Sequence, residues 1–152
     1  MCIAAFAWRA HPRWLLIAAA NRDEYHARPA ASLARWPEAD HVLAGRDLQS
    51  GGTWLGVSEQ GRFALVTNVR GYGLPDADRA SRGALVSDLL IGSGRYANVG
   101  AADLTDFNPV NLIVVDGAGA RFGSNRPCKL SIPASTAWPM ARSMHPGPRR
   151  FS

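Results

Sequence analysis

Two short apolar runs open the chain. "CIAAFAW" and "WLLIAAA" are separated by "RAHPR", in which Pro12 sets a turn. Runs of this length bounded by turn residues read as buried strands, so a first strand and an antiparallel, central second strand are expected. Charge then interrupts with "NRDEYHARPAA", and "VLAGRDLQSGGTWLGV" supplies a strand, a glycine-rich turn and another strand. "SEQGR" has the composition of a hairpin turn leading into "FALVTNV", and "RGYGLPDAD" follows as a loop. In "SRGALVSDLLIG", Ser81 is placed to cap a helix whose Ala84, Leu85, Leu89 and Leu90 share one face, with Gly92 just past its end. A helical turn is expected near "AADLTDF", and "NLIVVDGAGARFGS" is strand, turn, strand. Strands, then helix, then strands again predict an α+β architecture and exclude a doubly wound βαβ sheet. There is no internal repeat, P-loop or GxGxxG.

A chain of 152 residues suits one domain that buries roughly two-thirds of its unfolded surface. The net charge of +5 first suggests a nucleic-acid partner. Its distribution removes that reading. Residues 1–120 carry 11 basic and 12 acidic residues, while every charged residue after Asp116 is basic. No apolar run is long enough to span a membrane, and "WLLIAAA" ends in "NRDE" with no cleavage site, so the expected location is cytoplasmic. Cys2 and Cys128 are too few and too far apart for a disulfide framework or a zinc site. His11, His26, His41 and His145 show no pairing that would single out a haem ligand and read as surface residues.

Cys2 follows the initiator methionine. It reads either as a small apolar residue opening a strand or as a nucleophile. Removal of Met1 would give it a free α-amine with a reference pKa of about 7.7–8, a base carried on the same residue as the thiol. A hairpin turning near Pro12 would bring Cys2 beside Asn21, Arg22 and Asp23. There Arg22 or Asp23 could orient the amine or thiolate, unless "NRDE" is only a solvated turn with local ion pairs. Asn68, in "TNVR", is a candidate oxyanion donor or an ordinary strand-ending asparagine. "GGTWLG" either lines a pocket or turns a hairpin. Asn21, Trp54 and Arg70 are candidate substrate contacts. No metal or other cofactor is expected.

The ordered motifs "MCI", "NRDE", "GRD…GGTWLG" and "TNVR", from Met1 to about Gly123, resemble the NRDE family, also named the transport-and-Golgi-organisation family. The family in turn resembles N-terminal nucleophile (Ntn) hydrolases. That resemblance implies an αββα sandwich with antiparallel sheets, and hydrolysis of a linear amide bond in a small molecule. By motif, Cys2 takes the place of the nucleophile, Asp23 of the aspartate that holds the amine, and Asn68 of an oxyanion donor. The superfamily arginine precedes its N-x-D motif. This chain departs from that pattern, with Ala20 there and Arg22 inside the motif. An alternative implied by the family is a non-catalytic carrier or chaperone for haem or an acyl lipid, and a third is an inactive truncated member.

Residues 1–125 are expected to form the N-terminal part of one such domain, incomplete at the C-terminus. Residues 126–152 differ: they are basic, proline-rich and without acidic residues. The family's downstream "GLSN" and "LDTPWPK"-like stretches are missing from them. A shift of one base lets "WPM" encode Leu-Ala-Asn and "SMHPG" encode Leu-Asp-Ala-Pro-Trp, both at the family's spacing. We therefore expect the chain from about Cys128 to be a frameshifted product.

Overall fold

The computed structural model describes residues 2–98 and 104–127, so the frameshift expectation lies outside the described residues, as does His145. Eight strands and one α-helix are described: β1 (Ile3–Trp8), β2 (Leu16–Asn21), β3 (Ala30–Trp36), β4 (Ala39–Asp47), β5 (Leu55–Ser58), β6 (Arg62–Asn68), α1 (Arg82–Ile91), β7 (Val110–Asp116) and β8 (Gly119–Ser124). A 3₁₀ turn at Leu104–Asp106 stands where the helical turn near "AADLTDF" was expected. The fold is α+β. Strands β3 to β8 form one antiparallel sheet in sequence order, and β1–β2 form a separate two-stranded hairpin.

The large sheet is covered on both faces, which explains why β6 and β7 are almost continuously apolar in sequence. Their side chains alternate between faces. Ala64, Val66, Leu112 and Val114 join Val42, Ala44 and the α1 residues Leu85, Val86, Leu89 and Leu90 in one core. Phe63, Leu65, Ile113 and Val115 face the opposite way and meet Trp8, with Phe6 and Leu16 packed alongside. The layers are therefore helix, six-stranded sheet and hairpin. Burial of each large aliphatic side chain contributes about 1.5–3 kcal/mol.

Local details depart from the sequence reading in four places. Helix α1 buries Leu85, Val86, Leu89 and Leu90, so Val86 takes the place expected of Ala84, which stays half-buried. Ser81 sits at the N-cap, but its side chain makes no capping hydrogen bond. At the other end Gly92 adopts φ 82° and donates its N–H to Asp88, the left-handed stop that glycine permits. The second departure is β2, which is not central. It pairs with β1 alone among the described strands, and Trp14, Leu15 and Ile17 are exposed because only one face of the hairpin meets the sheet. Third, β3 has no counterpart in the sequence reading, where Ala30 and Ala31 close the polar break and residues 32–36 are left without an element. It is an edge strand whose residues face solvent until Trp36. Fourth, His41 is half-buried, with Nε2 3.3 Å from the Ile91 carbonyl oxygen at the end of α1.

Candidate active site

The hairpin register pairs Ile3 with Asn21. Cys2 precedes the first of these and Arg22–Asp23 follow the second, so the thiol and the polar cluster meet at one end of the ribbon. Cys2 Sγ lies 4.0 Å from the Asp23 carbonyl oxygen. The Asp23 carboxylate is ion-paired with Arg70, which arrives just after β6. Its carboxyl is held below the ordinary aspartate value, first by a hydrogen bond and charge from the chain's amino terminus. Desolvation opposes this, and Arg70 adds to it.

Beside this pair lies a carboxylate that the sequence reading left without a role. Asp47 ends β4 with its side chain only 11% exposed. Its Oδ2 accepts from Arg22 Nη2 at 3.0 Å and from Arg28 Nε at 2.8 Å. Its Oδ1 accepts from the backbone N–H groups of Gln49, at 3.0 Å, and Ser50, at 3.2 Å. Burial works to raise the Asp47 carboxyl, yet the bonds from Arg28 and the loop backbone outweigh it and hold the group below its ordinary value. Glu24 accepts a second bond from Arg22 at 3.2 Å. The Arg22 guanidinium also lies 4.1 Å from the centre of the Trp54 ring, a cation–π stack.

Asp47 is anchored by a closed turn. Its N–H donates to Gly52 O and its carbonyl accepts from Gly51 N–H, both at 2.8 Å, with Gly51 at φ 74°. Gly52 then packs on the first turn of α1. A Cβ there would stand 2.5 Å from the Gly83 carbonyl carbon, so only glycine allows the approach. That contact sets the start of α1, with Ser81, Arg82 and Gly83, into the wall of the same cleft. Arg82 is half-buried, and its Nη1 donates to the Pro109 carbonyl at 3.2 Å. Burial draws its guanidinium below the ordinary value, while the charges of Cys2 and Glu24 oppose that shift.

These groups surround a cleft of about 390 Å³, large enough for a small molecule. Cys2, Asn21, Arg22, Asp23, Trp54 and Asn68 all line it. Arg70 does not, and acts on it through Asp23. Arg22 reaches the cleft, but its guanidinium is committed to Asp47 and Glu24 rather than to Cys2. Asn68 ends β6, and its amide makes no hydrogen bond to another described residue. The sequence reading named Thr53 only within the "GGTWLG" pocket motif, and it missed Glu24, Arg28, Asp47 and Arg82 as lining residues. An acid closing an apolar strand before "LQSGG" was a usable signal for Asp47; nothing local marked Arg82. No group of three His, Cys, Asp or Glu side chains among the described residues could hold a metal ion. No described helix is long and apolar enough to cross a membrane.

The chain matches the family model described as Transport and Golgi organisation 2 over residues 1–142. It is similar to the Transport and Golgi organization protein 2 homolog of Bos taurus, 38% identical over 128 residues, covering 76% of this chain and 45% of the relative. The Homo sapiens homolog is 35% identical over 133 residues, covering 80% and 47% respectively. Transport and Golgi organization protein 2 of Drosophila melanogaster is 39% identical over 97 residues, covering 58% and 34%. The chain thus spans about half the length, or less, of these curated relatives.

Proposed function

The chain belongs to the Transport and Golgi organisation 2 family, and from that premise we propose that it is a cysteine hydrolase of the Ntn type acting on a linear amide bond of a small molecule. The observation that carries the reading is the hairpin register, which sets Cys2 beside Asp23 in a cleft that Asn68 also lines. The helix, sheet and hairpin layers are read here as three layers of an αββα sandwich. A thiol nucleophile suits a reducing compartment such as the cytoplasm.

The proposed chemistry needs loss of Met1. The freed amine of Cys2 takes the thiol proton, and the thiolate sulfur attacks the amide carbonyl carbon. The Asn68 amide stabilises the oxyanion. Collapse breaks the carbon–nitrogen bond, the amine leaves with the proton, and water then hydrolyses the thioester to acid and free thiol. Asp23, ion-paired with Arg70 and next to Cys2, orients the amine.

The test joins intact mass, brief low-dose alkylation with iodoacetamide, and a screen of small amides. The expected result is a chain lacking Met1, with Cys2 alkylated faster than Cys128, and hydrolysis abolished by Cys2→Ala. Retention of Met1, or hydrolysis that survives Cys2→Ala, overturns the proposal. An unhydrolysed apolar ligand bound equally well by the Cys2→Ala variant would favour a carrier instead.

A further inference from the structure

Charges around the cleft balance almost completely. Arg22 and Arg28 share Asp47 and Glu24, Arg70 takes Asp23, and Arg79 takes Asp76. Arg82 is left over. Among the described residues no carboxylate lies within ion-pair distance of it, and its one hydrogen bond goes to the Pro109 carbonyl. A guanidinium has five donors in a planar fork matched to a carboxylate, so most of its capacity remains unused.

Burial sharpens the point. Desolvating a cation is unfavourable unless an anion or strong acceptors replace the lost water. The charges of Cys2 and Glu24 offset the burial acting on Arg82 only in part, and no carboxylate bonds its guanidinium among the described residues. The first turn of α1 carries no acidic residue that could supply one. Arg82 and Cys2 also line the same small cleft, and each lies within the other's electrostatic field.

We propose that Arg82 binds a carboxylate on the substrate, so that the amide cleaved at Cys2 belongs to a molecule that also bears an acid group. This rests on the reading of Cys2 as the nucleophile and narrows it to one substrate class. Arg82 is the specificity-determining residue, whereas Arg22 and Arg28 hold the architecture around Asp47.

Paired alkylating reagents test it without a known substrate. Iodoacetate and iodoacetamide deliver the same electrophile, one with a carboxylate and one with a neutral amide. The ratio of their rates at Cys2, divided by the same ratio for free cysteine, isolates the contribution of the site. The expected value is about tenfold or more, equivalent to about 1.4 kcal/mol. It should fall near one in Arg82→Gln, persist in part in Arg82→Lys, and stay high in Arg35→Gln, which removes an equal charge from a surface ion pair with Glu59. Protection of Cys2 from iodoacetamide by N-acetylglycine, but not by N-acetylglycinamide, should follow the same order across the variants.

A ratio near one in the parent protein, with Cys2 still reactive, overturns the carboxylate assignment and leaves the nucleophile reading standing. An unreactive Cys2 overturns both. A drop in Arg35→Gln as large as in Arg82→Gln would assign the effect to net charge and overturn the proposal.

Discussion

Replacing Asp47 with Asn tests whether that carboxylate holds the cleft together. The amide keeps an oxygen for the N–H groups of Gln49 and Ser50, but presents no anion to Arg22 and Arg28. Two charge-assisted hydrogen bonds are lost, each worth about 1.5–3 kcal/mol. Glu24 still bonds Arg22 at 3.2 Å and offsets part of that loss. The net expectation is about 3 kcal/mol, or a fall in Tm of about 6–12 °C for a domain of this size. Asp47→Ala also removes the two backbone bonds and should cost about 1–2 kcal/mol more. The pH dependence provides the sign. Because folding lowers the Asp47 carboxyl below its ordinary value, its contribution is fully present above the unfolded value of about 3.9. It is lost as pH falls through the lower folded value. Thermal melts of parent and Asp47→Asn should therefore differ by a constant amount from about pH 7 to pH 5, and converge below about pH 4. A variant as stable as the parent at pH 7, or a gap unchanged at pH 3, would refute the network as described.

Three further substitutions probe how α1 is set into the cleft. Gly52→Ala drives a Cβ to 2.5 Å from the Gly83 backbone, whereas Gly83→Ala meets Thr53 N at 3.2 Å, so the first should cost about 1–3 kcal/mol and clearly more than the second in urea titrations. Ser81→Ala should change stability by under about 0.5 kcal/mol, against about 1 kcal/mol for an ordinary N-cap, because the hydroxyl makes no cap bond; a larger loss by thermal melt would contradict the observed cap.

The parts of the site legible in sequence are those joined by a short hairpin. Cys2 and Asp23 are brought together by one turn at Pro12, and the alternation of two apolar runs was enough to anticipate it. Arg82 and Asp47 reach the same cleft through a glycine–glycine contact between a turn and a helix start, which leaves no periodic trace. Strand β3 was missed for a related reason. "AASLAR" at a sheet edge is hydrogen-bonded to β4 along one side and has no buried side chain before Trp36, so no pattern of period two marks it. The apparent centrality of β2 came from the opposite effect, since both of its faces are apolar while only Leu16 packs against the sheet.

The hairpin's small apolar attachment has a dynamic consequence. A two-stranded ribbon has little stability of its own, and this one is held to the sheet through Trp8, Phe6 and Leu16. Thiol and neighbouring aspartate ride on the ribbon as one body, whereas Asn68 and Arg82 belong to the sheet and helix on the other side. The cleft is thus a seam between two units of unequal stability. Lifting the ribbon would carry Cys2 away from Asn68 and break the Arg22–Asp47 and Asp23–Arg70 pairs, without breaking a strand of the main sheet. Hydrogen exchange at Ile3–Trp8 should then outpace that at Val110–Asp116, and reactivity at Cys2 should fade on warming before the sheet itself melts.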